Sequence, residues 1–262
     1  MCSSDLIALF DSGLGGLSLL REVRAQLPSH DLAYVADSAH CPYGPKPSEL
    51  VRARSISIGR ALEREGAHAL VVACNSAVAA GALEALRAEL EIPVIGIEPG
   101  IKPAAAQTRT GVVGVLATAM TASSDRLASL VERFADDVEV VTQPCPGLVE
   151  RVEAGRLDGA ETRALIDRYV APLLSRGADV LVLGSTHYPF LRALIAEAAP
   201  GVEIVDPGPA VARQVARVAT ERAIPEGTGA VAYATTGDPA LVAPMLRRLA
   251  GDASAVVERS EA

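Results

Sequence analysis

The chain is predicted to fold as α/β, with two similar parallel-sheet α/β lobes related by a pseudo-twofold axis and a site between them. Two observations carry that expectation. Short apolar runs alternate with longer helix-patterned segments along most of the length, the order of strand–crossover–strand units in a parallel sheet. The second observation is a repeat. Leu70-Val71-Val72-Ala73 runs into Cys74-Asn75-Ser76-Ala77, and Val180-Leu181-Val182-Leu183-Gly184 runs into Ser185-Thr186-His187. Both have the build of a buried parallel strand that delivers a side chain into a crevice. From Cys74 to Glu98-Pro99-Gly100, and from Ser185 to Asp206-Pro207-Gly208, the copies match with a three-residue gap.

Taken in order, Leu6–Phe10 is the first expected strand, ending in Asp11-Ser12-Gly13-Leu14-Gly15-Gly16 and a helix through Leu27 that Pro28 closes. Leu32–Ala36 is the second. Three prolines and a glycine in Asp37 to Pro47 argue for a shaped surface loop without regular structure. Ser48 can cap a helix to about Glu65, ended by Gly66. The Cys74 strand follows, then one helix to about Leu90 and the strand Pro93–Ile97. The pattern restarts with Gly111–Ala117, the turn Thr118-Ala119-Met120-Thr121, a helix from about Ser123, the strand Val138–Thr142, and helices over about Pro146–Ala154 and Glu161–Arg176. The Ser185 strand, its helix and Val202–Val205 complete that half. Beyond Pro209, a helix, the strand Ala230–Ala234, a helix and a short strand are expected to return to the first sheet. The lobes are therefore 1–98 with 209–262, and 99–208. Ligands in open parallel sheets sit beyond the carboxyl ends of strands, where Asp11, Asp37, Cys74, Thr118, Ser185 and Asp206 all fall.

Composition narrows the function classes. Of 262 residues half are hydrophobic, only 3% are aromatic and none is tryptophan, which suits helices laid on parallel sheets. The formal net charge, 24 − 32 = −8, and the lack of a basic run argue against a nucleic-acid partner. Cys2, Cys41, Cys74 and Cys145 are far apart and form no CxxC pair, so neither a metal site nor a disulfide framework is expected. Met1–Asp5 has no basic region, and no apolar run approaches the roughly 18 residues of a membrane span. A soluble protein of the reducing cytoplasm, with no membrane partner, is the expectation.

Each candidate residue has a plain reading beside a functional one. Free cysteine is among the most buried residue types, but Cys74 stands at a strand end before a helix N-terminus, where amides stabilise a thiolate and hold a carboxylate. Such a site is expected to bring its pKa from about 8.5 toward neutrality. The Gly13-Leu14-Gly15-Gly16 turn lacks the G-x-G-x-x-G spacing and a Walker lysine, so a phosphate reading is weak. It is better suited to a small polar ligand, while Asp11 reads equally as an N-cap. Ser185 and His187 lack the G-x-S-x-G elbow of a hydrolase. Glu153, on an amphipathic helix, reads from the residues alone as a solvated charge.

Positions 74 and 185 face each other if the halves are related by a twofold. Two proton-transfer groups on opposite sides of one carbon are what stereochemical inversion needs, one removing a proton and the other delivering one. Nothing in the chain suggests a pyridoxal lysine, so no cofactor is expected, and stabilisation falls to fixed dipoles around a substrate carboxylate.

Asp11-Ser12-Gly13-Leu14-Gly15-Gly16, Pro42-Tyr43-Gly44, Ala73-Cys74-Asn75-Ser76-Ala77 and Gly184-Ser185-Thr186-His187-Tyr188-Pro189 resemble glutamate racemase, of the aspartate/glutamate racemase superfamily, in order and spacing over essentially the whole chain. The resemblance implies a cofactor-independent isomerase that interconverts L- and D-glutamate and supplies D-glutamate for peptidoglycan. It implies Cys74 as one catalytic thiol, Ser185 at the place of the second, and Asp11, His187 and Glu153 as polar partners assisting them. Asp11, Ser12, Tyr43, Gly44, Asn75, Ser76, Thr118, Thr121, Thr186 and His187 match substrate contacts. Histidine at 187 is similar to the glutamate branch, where related aspartate racemases usually carry glutamate. The resemblance leaves assembly open, a homodimer among its forms.

The departures are Ser76 for the family's threonine, Ala117 for glycine, and Ser185 for cysteine. Ser76 keeps the hydroxyl. Ser185 is the serious change, because a hydroxyl is a far weaker acid than a thiol and holds no useful anion at neutral pH without a strong partner. Three readings stand: a cysteine replaced deliberately, a natural one-base relative acting on a small acidic amino or carboxylic acid, and an amino-acid binder without turnover.

Overall fold

The structure, a computed structural model, describes residues 6–262, so the N-terminal stretch 1–5 with Cys2 lies outside the described residues. The first half forms strands β1 (Leu6–Asp11), β2 (Asp31–Ala36), β3 (Ala67–Val72) and β4 (Val94–Gly96). The second forms β5 (Val112–Ala117), β6 (Glu139–Pro144), β7 (Val180–Gly184) and β8 (Glu203–Val205), and the C-terminal part adds β9 (Val231–Thr235) and β10 (Val257–Arg259). Two sheets result, in the orders β10-β9-β2-β1-β3-β4 and β6-β5-β7-β8, and every described pairing is parallel. The order β2-β1-β3-β4 is repeated as β6-β5-β7-β8, so the internal repeat seen in the residues is a repeat of topology. β1 and β7 are buried along their whole length, which is why both read as unbroken apolar runs.

The crossover helices are α1 (Leu17–Gln26), α2 (Ser48–Arg64), α3 (Asn75–Ala79), α4 (Ala82–Glu89), α5 (Ile101–Gln107), α6 (Ala119–Ala122), α7 (Asp125–Phe134), α8 (Leu148–Glu153), α9 (Ala160–Ser175), α10 (Arg192–Ala198), α11 (Gly208–Glu221) and α12 (Pro239–Ala250). One apolar cluster runs through both halves, joining Ile7, Leu9 and Tyr34 of the first sheet to Leu116, Leu181 and Leu183 of the second through Leu20, Val23 and Val215 of α1 and α11. Each fully buried leucine or isoleucine there contributes roughly 1.5–3 kcal/mol, so the two sheets are held as one body by the core they share. Among the described residues, no helix is long and apolar enough to cross a membrane.

Four local expectations are corrected. The helix after Cys74 is not continuous, because Gly81 adopts φ +84° and separates α3 from α4. α5 was not anticipated in the residues after Gly100, where Pro103 sits within the first turn of a short helix. The loop after Asp37 contains one turn of 3-10 helix, Ser38–His40, ahead of its prolines. Ser48 is the first helical residue of α2 instead of its cap, and Pro47 at the cap makes no side-chain bond.

Candidate active site

Strand register brings the site together. Asp11 pairs with Ala36, and the bonds from Asp37 N–H to Asp11 C=O (2.9 Å) and Ala73 N–H to Phe10 C=O (2.8 Å) carry the alignment past the strand ends. In the second sheet Ala117 pairs with both Pro144 and Gly184. Asp11, Cys74, Thr118 and Ser185 thereby leave the carboxyl ends of β1, β3, β5 and β7.

A small, narrow pocket lies where these ends meet, lined by Ser12, Pro42, Tyr43, Gly44, Cys74, Asn75, Ser76, Thr118, Val149, Ser185, Thr186 and His187. Cys74 and Ser185, from matching strand ends of the two sheets, thus face one cavity. Cys74 Sγ approaches Ser12 Oγ at 3.6 Å. Ser76 Oγ lies 2.9 Å from Thr118 Oγ1, joining the two halves across the pocket. Asn75 is buried, and neither its Oδ1 nor its Nδ2 has a hydrogen-bond partner among the described residues. A buried carboxamide left so is costly unless something in the pocket completes it.

Asp11, Glu153 and Thr121 stand behind this lining. The carboxylate of Asp11 accepts from Gly13 N–H (2.8 Å) and Thr186 Oγ1 (2.9 Å), a second link between the halves. Glu153 Oε1 lies 2.6 Å from His187 Nε2 and accepts from Leu14 N–H at 2.7 Å. That corrects the reading of Glu153 as a solvated charge; its side chain is 22% exposed. Thr121 donates its N–H to Thr118 Oγ1 at 3.2 Å, capping α6 and fixing the Thr118 hydroxyl. Asp37 also stands back, taking Tyr43 Oη (2.6 Å), Arg54 and Thr236 Oγ1 (2.7 Å), so it anchors the loop that lines one wall. Asp206 follows β8 but lies outside the pocket.

The glycines of the Gly13–Gly16 turn answer to these neighbours. A Cβ at Gly15 would overlap the His187 ring, and one at Gly13 would overlap the Glu153 carboxylate and come within 2.7 Å of Cys41 Sγ. The turn is glycine-rich because side chains from both halves, Glu153 and His187 of the second and Cys41, Asp11 and Tyr34 of the first, press against its backbone, with no phosphate required. Val149 was missed in the residues. It lines the pocket from α8, and its signal was the i,i+4 spacing that sets it on the same helix face as Glu153.

Electrostatics sharpen the roles. Burial pushes the Cys74 thiol up to about 12, with the Asp11 carboxylate adding to it against N–H bonds from Ala77 and Ser12. The expected drift toward neutrality is therefore overturned: the helix N-terminus is outweighed by burial and a nearby anion. Burial also raises Asp11, against the charge of His187. For Glu153 burial opposes ionisation, but the bond and charge of His187 and the Leu14 N–H outweigh it and hold the carboxyl below its usual range. His187 is likewise held above its ordinary value by Glu153 despite burial. The pair is an ion pair, so His187 Nε2 is committed to Glu153 and a hydrolase-type use of it on Ser185 has no support. Among the described residues, Ser185 Oγ accepts only the His187 backbone N–H, at 3.4 Å. One group of metal-type ligands, Cys41, Glu153 and His187, gathers beside the pocket.

Fold and site together define a class: an α/β enzyme made of two copies of one sheet topology, with a protic side chain from each copy at a shared polar pocket. The model of the Asp/Glu/Hydantoin racemase family matches residues 17–215, and the chain belongs to that family. It is 55% identical over 222 residues to a glutamate racemase of Pseudomonas aeruginosa, covering 84% of each chain. Among solved structures it is similar to a glutamate racemase isoform of Bacillus anthracis (TM-score 0.89, 31% identity, 98% of this chain and 97% of that one). It is also similar to Escherichia coli glutamate racemase solved with L-glutamate and the activator UDP-MurNAc-Ala (TM-score 0.87, 31% identity, 97% of each chain).

Proposed function

We propose that the chain interconverts L- and D-glutamate without a cofactor, supplying D-glutamate for peptidoglycan, through an unequal pair of proton-transfer groups, Cys74 and Ser185. The observation that carries this reading is the meeting of Cys74, Ser185 and the unpartnered Asn75 carboxamide at one small pocket. Cys74, as thiolate, takes the Cα proton on its face, and the C–H electron pair passes into the adjacent carboxylate. Among the described residues the Asn75 carboxamide lines the pocket with its N–H groups uncommitted and is the donor to hold that carboxylate as charge builds on it, while the Thr186 hydroxyl is given to Asp11 and that of Thr118 to Thr121. Burial keeps Cys74 a neutral thiol, the form that returns a proton, and makes its thiolate a stronger base once formed.

Inversion needs the opposite face, where Ser185 stands. Among the described residues its hydroxyl has no side-chain base as a partner, so removal of a proton on that side is the slow event and turnover is impaired. That observation supports impaired turnover whether Ser185 is natural to the chain or stands in for a cysteine. The substrate is a small acidic amino acid. The setting is the reducing cytoplasm, which the free thiols of Cys41, Cys74 and Cys145 support. Ser185→Cys is expected to raise the interconversion of D- and L-glutamate by orders of magnitude, followed by polarimetry on purified enantiomers; no gain in a folded variant overturns the racemase reading.

A further inference from the structure

Three side chains of different chemistry converge on the wall behind His187. One ligand atom each of Cys41, Glu153 and His187 lies within 4.8 Å of the other two. They come from three separate parts of the chain: the loop after β2, the last turn of α8 and the segment after β7. Gly13 makes room for two of them, since any Cβ there would strike both Cys41 Sγ and the Glu153 carboxylate.

A thiolate, an imidazole and a carboxylate are a donor set for zinc-class ions; magnesium and calcium prefer oxygen alone. With bonds of about 2.0–2.3 Å in a tetrahedron, ligand atoms around one zinc stand about 3.3–3.8 Å apart. Glu153 Oε1 and His187 Nε2 are now 2.6 Å apart, so an ion enters by spreading that hydrogen bond by roughly an ångström. Its route need not cross the substrate pocket. Cys41 and Glu153 also line a second, open hollow between the Ser38–Pro42 loop, α8 and α12, from which water reaches a fourth ligand position.

We propose that Cys41, Glu153 and His187 form a site for a zinc-class divalent cation, filled from this second hollow, and that its occupancy inhibits the enzyme. Binding releases the Cys41 thiol proton and the proton between His187 and Glu153 to solvent, with no change of oxidation state. Inhibition follows because the ion ties up the ion pair behind Thr186 and Ser185. That half rests on the racemase reading; the metal site does not.

Cobalt(II), added to the reduced full-length chain, is the probe. The chain is expected to take up one Co²⁺ with a near-ultraviolet thiolate-to-metal absorption. Cys41→Ser should lose that absorption and bind at least about tenfold more weakly while keeping its fold and basal exchange activity. Cys74→Ser should keep the absorption. Absorption that persists in Cys41→Ser, or none in the folded parent, overturns the site. Zn²⁺ should suppress deuterium exchange at Cα of glutamate in the parent and not in Cys41→Ser. If Co²⁺ binds through Cys41 but Zn²⁺ leaves exchange unchanged, the inhibitory half is wrong and the site stands. If the parent shows no exchange without metal, the racemase reading and the inhibitory half fall together, while the cobalt spectrum still decides the site.

Discussion

Glu153 Oε1 and His187 Nε2 stand 2.6 Å apart, and the same carboxylate oxygen takes the Leu14 N–H at 2.7 Å. One oxygen thus ties α8 to both the glycine turn after β1 and the segment after β7. Glu153→Gln keeps the size and removes the charge. In a Ser185→Cys background it should lower kcat by about a hundredfold with KM little changed, as steady-state rates will show.

Asn75 is a buried amide without a partner among the described residues, so its worth lies in the liganded state. Asn75→Ala should raise KM for glutamate about ten- to a hundredfold, the loss of about 1.5–3 kcal/mol in bonds to a charged ligand. Stability in urea should not fall, because no described residue bonds to the lost group.

Gly15 faces the His187 ring with no space for a methyl group. Gly15→Ala should cost about 1–3 kcal/mol of stability by overpacking. It should also displace the ring, so that exchange activity at a temperature where the variant remains folded falls by more than the unfolded fraction explains.

Asp179 gives a clear dependence of stability on pH. Burial opposes its charge, but bonds from Thr108 Oγ1 (2.5 Å), Arg109 N–H (2.8 Å) and Thr110 outweigh it and hold the carboxyl at about 2. The unfolded value is about 3.9, so the folded state binds this proton less readily. Its contribution is complete above the unfolded value and is lost as pH falls toward the folded one. Asp179→Asn should flatten the loss of unfolding free energy between about pH 4 and pH 2, read from urea titrations.

Much of the fold was legible because its central strands, β1 and β7 above all, are buried along their length, and because strands lead into polar residues, as at Asp11, Cys74 and Ser185. The match between the two copies pointed to a duplication, and the strand order itself came only with the structure. What could not be read depended on partners distant in the chain. Glu153 looks like a solvated charge until His187 and Leu14 are placed beside it, and Cys74 looks poised for ionisation until its burial beside Asp11 is known. The break at Gly81 was hidden by alanines on both sides that suit one long helix, and Cys41 gained meaning only from neighbours more than a hundred residues away.

The inequality of Cys74 and Ser185 is read by solvent deuterium entering Cα of D- and L-glutamate. With Ser185 in place, one enantiomer should exchange much faster than the other, and after Ser185→Cys both should exchange readily with inversion. Equal exchange from both enantiomers before the substitution, or none from either in the folded protein, would contradict it.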